Sequence, residues 1–171
     1  MLDLIGNLPK ARVARILCVG AHCDDIEIGC AAALLALQVR QRRLEINWVV
    51  VSGPPQRRVE AQRAMTMLVR RAARGTLTCG DFQDGFFPAE YSAIKAFFES
   101  LKRLPAPDLI FCHERNDRHQ DHRIVNEMVW STFRDHMVLE YEVPKWDGGL
   151  GDPNVYVPVS AAQMRAKLRT L

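Results

Sequence analysis

The chain has 171 residues, 48% of them hydrophobic and 25% charged, a composition that excludes a disordered tail, a collagen-like repeat and a coiled coil. Lys and Arg number 23 and Asp and Glu 20, leaving a net charge of +3, too small to demand a nucleic-acid partner. No run of about 18 apolar residues free of charge occurs, so no membrane span is expected.

Residues 14–20 (ARILCVG) form an apolar run ending at Gly20-Ala21 and read as a buried strand. Residues 28–41, rich in Ala and Leu, read as a helix. INWVVVSG (46–53) is a β-branched strand stopped by Gly53-Pro54-Pro55. From Gln56 to Arg71, apolar side chains at Ala61, Ala64, Met65, Leu68 and Val69 recur at helical spacing. TLTCG (76–80) is a short strand, followed by the loop DFQDGFFP with its Asp84-Gly85 turn signal. Ile94, Phe97, Phe98 and Leu101 mark another helix, PDLIFCHE (107–114) a strand, and Val125, Met128, Val129, Thr132 and Phe133 the helix after it. MVLEYEV (137–143) is a strand, Pro144 to Pro153 a glycine-rich loop, and NVYVPV (154–159) a further strand. Ser160 caps a last helix.

Alternating strands and helices predict an α/β fold: a Rossmann-like, mostly parallel sheet with helices on both faces. The expected strand order is 3-2-1-4, with further strands after strand 4. Residues 1–171 read as one domain. The last helix has little left to pack against, so either the fold is short or a C-terminal part is missing. MLDLIGNLPKAR has no apolar core behind basic residues and does not read as a signal peptide. Cys18, Cys23, Cys30, Cys79 and Cys112 are odd in number and irregularly spaced, which argues for reduced thiols and a cytoplasmic location. The arginines at 57, 58, 63, 70, 71 and 74 read as a solvated helix face. They have no interleaved aromatics on which bases could stack.

Two clusters of metal-ligand residue types stand out. His22, Cys23, Asp24, Asp25 and Glu27 follow the first strand. His113, Glu114, Asp117, His119, Asp121 and His122 follow the fourth. Both therefore lie at strand carboxyl ends, and in a 3-2-1-4 sheet those two strands are neighbours. His22 and Asp25, three apart, can point one way, and His122 can add a second imidazole. Two imidazoles and one carboxylate leave positions open on a divalent ion, the pattern of catalytic zinc, whose bound water is acidified. Asp24 is free to act as general base. His119 can stabilise an oxyanion or protonate a leaving amine, and Asp121 can orient an imidazole. Cys23 reads as a small loop residue, His136 as a surface residue, and His113 as lining the site or filling the near-core. The competing reading of Asp24, Asp25 and Glu27 is a set of charges that suits a helix dipole.

With these residues in place, AHCDDIEIG resembles the His-Pro-Asp-Asp signature of the PIG-L/LmbE-like zinc-dependent de-N-acetylases. HQDH (119–122) resembles that family's His-x-Asp-His signature. The resemblance covers roughly residues 14 to 160. It implies a Rossmann-like sheet, one Zn²⁺ and hydrolysis of an N-acetyl group, commonly on an amino sugar. By motif position, His22, Asp25 and His122 would be the zinc ligands, Asp24 the base and His119 the residue that stabilises the tetrahedral intermediate. Cys23 departs from the usual proline, and Ala31 and Ala32 from frequent glycines. Family members usually continue past the end of this chain. Part of the pocket is then absent, or supplied by a neighbouring copy in a homo-oligomer.

The leading expectation is a metal-dependent hydrolase acting on a small N-acetylated sugar or glycoconjugate. The alternatives are a non-haem iron oxygenase, since two imidazoles and a carboxylate also suit Fe²⁺, and a truncated non-catalytic binding module. Asp24 favours hydrolysis, because the oxygenase needs no base beside its ligands. A nucleotide-binding site is disfavoured: GAHCDDIEIG lacks G-x-G-x-x-G and places carboxylates where a pyrophosphate would sit. Arg57 and Arg58 can meet an anionic substrate or the solvent. Trp146 can stack on a sugar ring or pack.

Overall fold

The computed structural model describes residues 14–171 apart from 42, 71, 73, 147 and 149. The N-terminal dodecapeptide, Arg71, Asp147 and Gly149 of the sequence reading lie outside the described residues. Five strands, β1 (Ala14–Gly20), β2 (Leu44–Val50), β3 (Arg74–Cys79), β4 (Leu109–His113) and β5 (Val138–Tyr141), form one sheet in the order 3-2-1-4-5. Every pairing is parallel, with Ile16 opposite Ile46 on one side and Leu109 on the other.

The two-residue period of the strands sorts the core into two layers. Ile16, Cys18, Ile46, Trp48, Leu109 and Phe111 face α1 (Asp25–Gly29), α2 (Ala31–Arg40) and α3 (Pro55–Leu68). Leu17, Val19, Val49, Ile110 and Cys112 face α4 (Tyr91–Leu101) and α5 (Gln120–Thr132). Burying each large apolar side chain contributes about 1.5–3 kcal/mol. This two-sided burial is why β1 from Ile16 onward and the second half of β2 from Trp48 read as continuous apolar runs, while Glu45 and Asn47 stay half-buried.

Three expectations change. The single helix expected over 28–41 is two helices, broken at Cys30. Gly29 is required there, because a Cβ would stand 2.1 Å from the Tyr141 ring. NVYVPV is not a strand: residues 154–159 join no strand pairing among the described residues, and Pro158 offers no N–H to a ladder. So one strand, not several, follows β4 among the described residues. Finally, α6 (Ala161–Leu168) does have a partner. A capping box between Ser160 and Gln163 starts it, it packs on α2, and the Lys167 ammonium donates to Ile28 O at 2.5 Å. No helix of the described residues is long and apolar enough to cross a membrane.

Candidate metal centre

Because β1 and β4 are parallel neighbours, their carboxyl ends deliver both clusters to one place. After Gly20 the chain turns, and the His22 N–H donates to Asp25 Oδ2 at 2.7 Å, which brings the two side chains to the same side. His122, in the first turn of α5, reaches them from the other loop. His122 Nε2 lies 3.3 Å from His22 Nδ1 and 3.4 Å from Asp25 Oδ1. His22 Nδ1 lies 3.5 Å from Asp25 Oδ2. Tetrahedral bonds of about 2.0–2.2 Å place ligand atoms about 3.3–3.6 Å apart, so the spacing fits a zinc-sized ion.

The outward nitrogens of both imidazoles meet carboxylates, and these choose which nitrogen points inward. The His122 Nδ1–H donates to Asp117 Oδ2 at 2.9 Å. Asp117, buried, also accepts from the His119 N–H at 2.8 Å and from the Lys145 ammonium at 2.8 Å to each oxygen. His22 Nε2 faces Asp84 Oδ1 at 2.9 Å and Asp121 Oδ2 at 3.2 Å. Asp121 thus orients His22. It also accepts from the backbone N–H groups of Gly85 at 2.6 Å and Phe87 at 3.3 Å, pinning the 81–88 loop to the centre. Burial works to raise the Asp25 carboxyl, but the imidazoles of His113, His122 and His22 hold it well below its ordinary range.

His113, fully buried, stacks on His122 with ring centroids 3.8 Å apart. Its Nε2 accepts the Ala21 N–H at 2.9 Å and stands 3.1 Å from Asp25 Oδ2, so it backs the centre from the core side. Glu27 is also buried, and burial pushes its carboxyl up to about 8. That does not suit the reading of Glu27 as a charge serving the helix dipole. Asp24 points away from Asp25, its Oδ2 accepting from Arg57 Nη2 at 2.8 Å. Arg58 instead binds Gly53 O, Gly80 O and Asp81, tying α3 to the ends of β2 and β3. His119 caps α5: its Nδ1 accepts the Asp121 N–H at 3.3 Å, which leaves the ring proton on Nε2. Burial, then the neighbouring His122 and His22, lower its basicity.

Above the donors lies an open cleft of about 350 Å³, lined by His22, Cys23, Asp24, Ser52, Gly53, Pro54, Arg57, Asp84 and His119. Asp24 borders the cleft without belonging to the donor triad of His22, Asp25 and His122. Cys23 lines the wall, and a Cβ on Gly53 would stand 2.3 Å from its Sγ. His136 is half-buried, edge-on to Phe133 and far from this chemistry in the fold. Trp146 is fully exposed and does not line the cleft. The residues missed in the sequence are Asp84 and Asp117 with its partner Lys145. Asp84 carried only a turn signal, and Asp117 was one acidic residue among several.

Residues 17–133 match the PIG-L family, GlcNAc-PI de-N-acetylase. A comparison with curated proteins gives no match. Among solved structures, the conserved protein TT1542 from Thermus thermophilus is 21% identical, covering 91% of this chain and 76% of that one, with a TM-score of 0.68. N,N'-diacetylchitobiose deacetylase from Pyrococcus horikoshii is 16% identical over 98% of this chain and 73% of its own, with a TM-score of 0.69. The zinc-inhibited form of teicoplanin deacetylase is 15% identical over 92% and 82%, with a TM-score of 0.69. At these identities the structures speak to the fold.

Proposed function

The chain belongs to the PIG-L family of GlcNAc-PI de-N-acetylases, and from that premise we propose that it is a zinc-dependent hydrolase that removes the acetyl group from an N-acetylated amino sugar or glycoconjugate. The observation that carries this reading is the triad of inward donor atoms of His22, Asp25 and His122, 3.3–3.5 Å apart, with a carboxylate behind each imidazole. A zinc ion held there supplies a Lewis acid for the amide carbonyl and an acidified water. Asp24, on the cleft wall, takes the proton of the attacking water, and the Arg57 guanidinium on its Oδ2 fixes the carboxylate's orientation. His119 donates its Nε2 proton to the developing oxyanion, the tautomer being set by its capping bond. A cleft of about 350 Å³ is within the size range of small-molecule sites. In this proposal residues 1–171 act as one domain.

Metal analysis together with anaerobic deacetylation assays over a panel of N-acetylated sugars tests this. Stoichiometric zinc and oxygen-independent release of acetate are expected. Turnover that requires oxygen, or zinc that stays tightly bound in His122→Ala, would overturn it.

A further inference from the structure

The His22 imidazole presents its two nitrogens to two different groups of ligands. Nδ1 faces Asp25 and His122, while Nε2 faces Asp84 Oδ1 at 2.9 Å and Asp121 Oδ2 at 3.2 Å. His119 completes the second group: its ring centroid is 5.0 Å from that of His22. One donor atom from each of His22, Asp84, His119 and Asp121 lies within 4.8 Å of the others. We infer that the cleft mouth is a second, weaker divalent-cation site, formed by Asp84, His119 and Asp121 with His22 Nε2 as fourth donor, and that filling it closes the cleft to substrate. The inference rests on the reading of His22, Asp25 and His122 as the inner site.

The donor set decides the class of ion. Two imidazoles with two carboxylates suit zinc and its neighbours, whereas magnesium and calcium take oxygen donors. Three features make the outer site the weaker one. Binding replaces the proton on His22 Nε2, which leaves to solvent, and makes the imidazole a bridge. It costs His119 either its 3.3 Å capping bond at Nδ1 or the proton on Nε2, which would leave to solvent. It also draws on Asp84, whose side chain is 70% exposed and therefore well solvated. That same exposure gives an ion access from solvent without opening the core. His22, Asp84 and His119 all line the cleft, so an ion among them occupies the space that a substrate must enter.

The test is a zinc titration of metal-stripped protein by calorimetry and equilibrium dialysis, for the natural sequence, Asp84→Ala and His122→Ala. The natural sequence should take up two equivalents, with affinities at least about 100-fold apart. Asp84→Ala should keep the tight equivalent, because Asp121 still backs His22 Nε2 at 3.2 Å, and weaken the other tenfold or more. His122→Ala should lose the tight one and keep the weak one. Uptake of a single equivalent by the natural sequence, or a weak equivalent indifferent to Asp84→Ala, overturns the outer site. A tight equivalent that survives His122→Ala instead overturns the inner ligand set, and the Asp84→Ala comparison still decides the outer site. Asp84→Ala should still melt in one cooperative transition, lowered at most by the share of the His22 ion pair that Asp84 supplies.

Discussion

Replacing Asp117 by Asn removes a negative charge from behind His122 while keeping its shape. Both oxygens of Asp117 are engaged by donors: the His119 N–H and Lys145 on Oδ1, and the His122 Nδ1–H and Lys145 on Oδ2. An Asn amide in either orientation therefore turns its NH₂ toward a donor, and the residue is buried. Loss of a carboxylate behind a metal-bound histidine typically costs about 10–100-fold in metal affinity, or about 1.4–2.7 kcal/mol. The donor–donor clash places this variant toward the upper end. Competition against a chromophoric chelator reads the affinity, and thermal denaturation reads the fold. Lys145→Met is the control that separates charge from packing: it leaves the carboxylate to His122 and the His119 N–H, so zinc affinity should hold or rise, while stability falls by about 1–3 kcal/mol. A folded Asp117→Asn variant with zinc affinity within about twofold of the natural sequence would refute the role assigned to this carboxylate.

Asp24→Asn should lower kcat by roughly 10²-fold or more with bound zinc unchanged; loss of zinc, or full turnover, would show that Asp24 is not the base. His119→Ala should retain the tight zinc and raise the barrier by about 3–4 kcal/mol, read from kcat at saturating substrate. In the metal-free protein, burial opposes protonation of His22, but the hydrogen bond and charge of Asp25, with Asp84 and Asp121, raise it from 6.5 to about 9. A raised folded-state value stabilises fully below the unfolded value and is lost as pH rises through the folded one. Urea unfolding of the metal-free protein should accordingly show stability falling between pH 6.5 and about 9 from this group, and zinc affinity should rise across the same interval as the competing proton is lost. Flat zinc affinity over that range would contradict the assignment. Gly29→Ala drives a Cβ into the Tyr141 ring and should destabilise by about 1–3 kcal/mol, measured as a drop in Tm; an unchanged Tm would mean that Tyr141 can yield.

The convergence of His22, Asp25 and His122 was legible because these residue types fell directly after two strands whose adjacency follows from the parallel topology. The strands were legible for a related reason: burial on both faces leaves continuous apolar runs from Ile16 in β1 and from Trp48 in β2. What escaped were groups placed by a pair of long-range hydrogen bonds. Asp84 owes its position to Asp121, which holds the following Gly85 and Phe87 amides, and nothing periodic in the sequence encodes that grip. Asp117 and Lys145 find each other across 28 residues with no motif linking them. Residues 154–159 misled because alternating Val and Tyr satisfy strand propensity, while no strand of the described residues pairs with them there.

His22 and His122 are 100 positions apart along the chain, and this separation has a consequence for how the protein assembles. A chain that has formed only β1, β2 and β3 owns one imidazole and one carboxylate of the triad. The second imidazole arrives only when β4 inserts beside β1 and α5 docks behind it. Such distant pairings form slowly, since a long loop must close before they are rewarded. An ion that needs all three donors therefore binds the finished molecule and not its halves. On the proposed reading such an ion would act as a latch across the central seam, adding about 4 kcal/mol when free metal exceeds Kd a thousandfold, and its uptake during refolding would time the moment at which that seam closes.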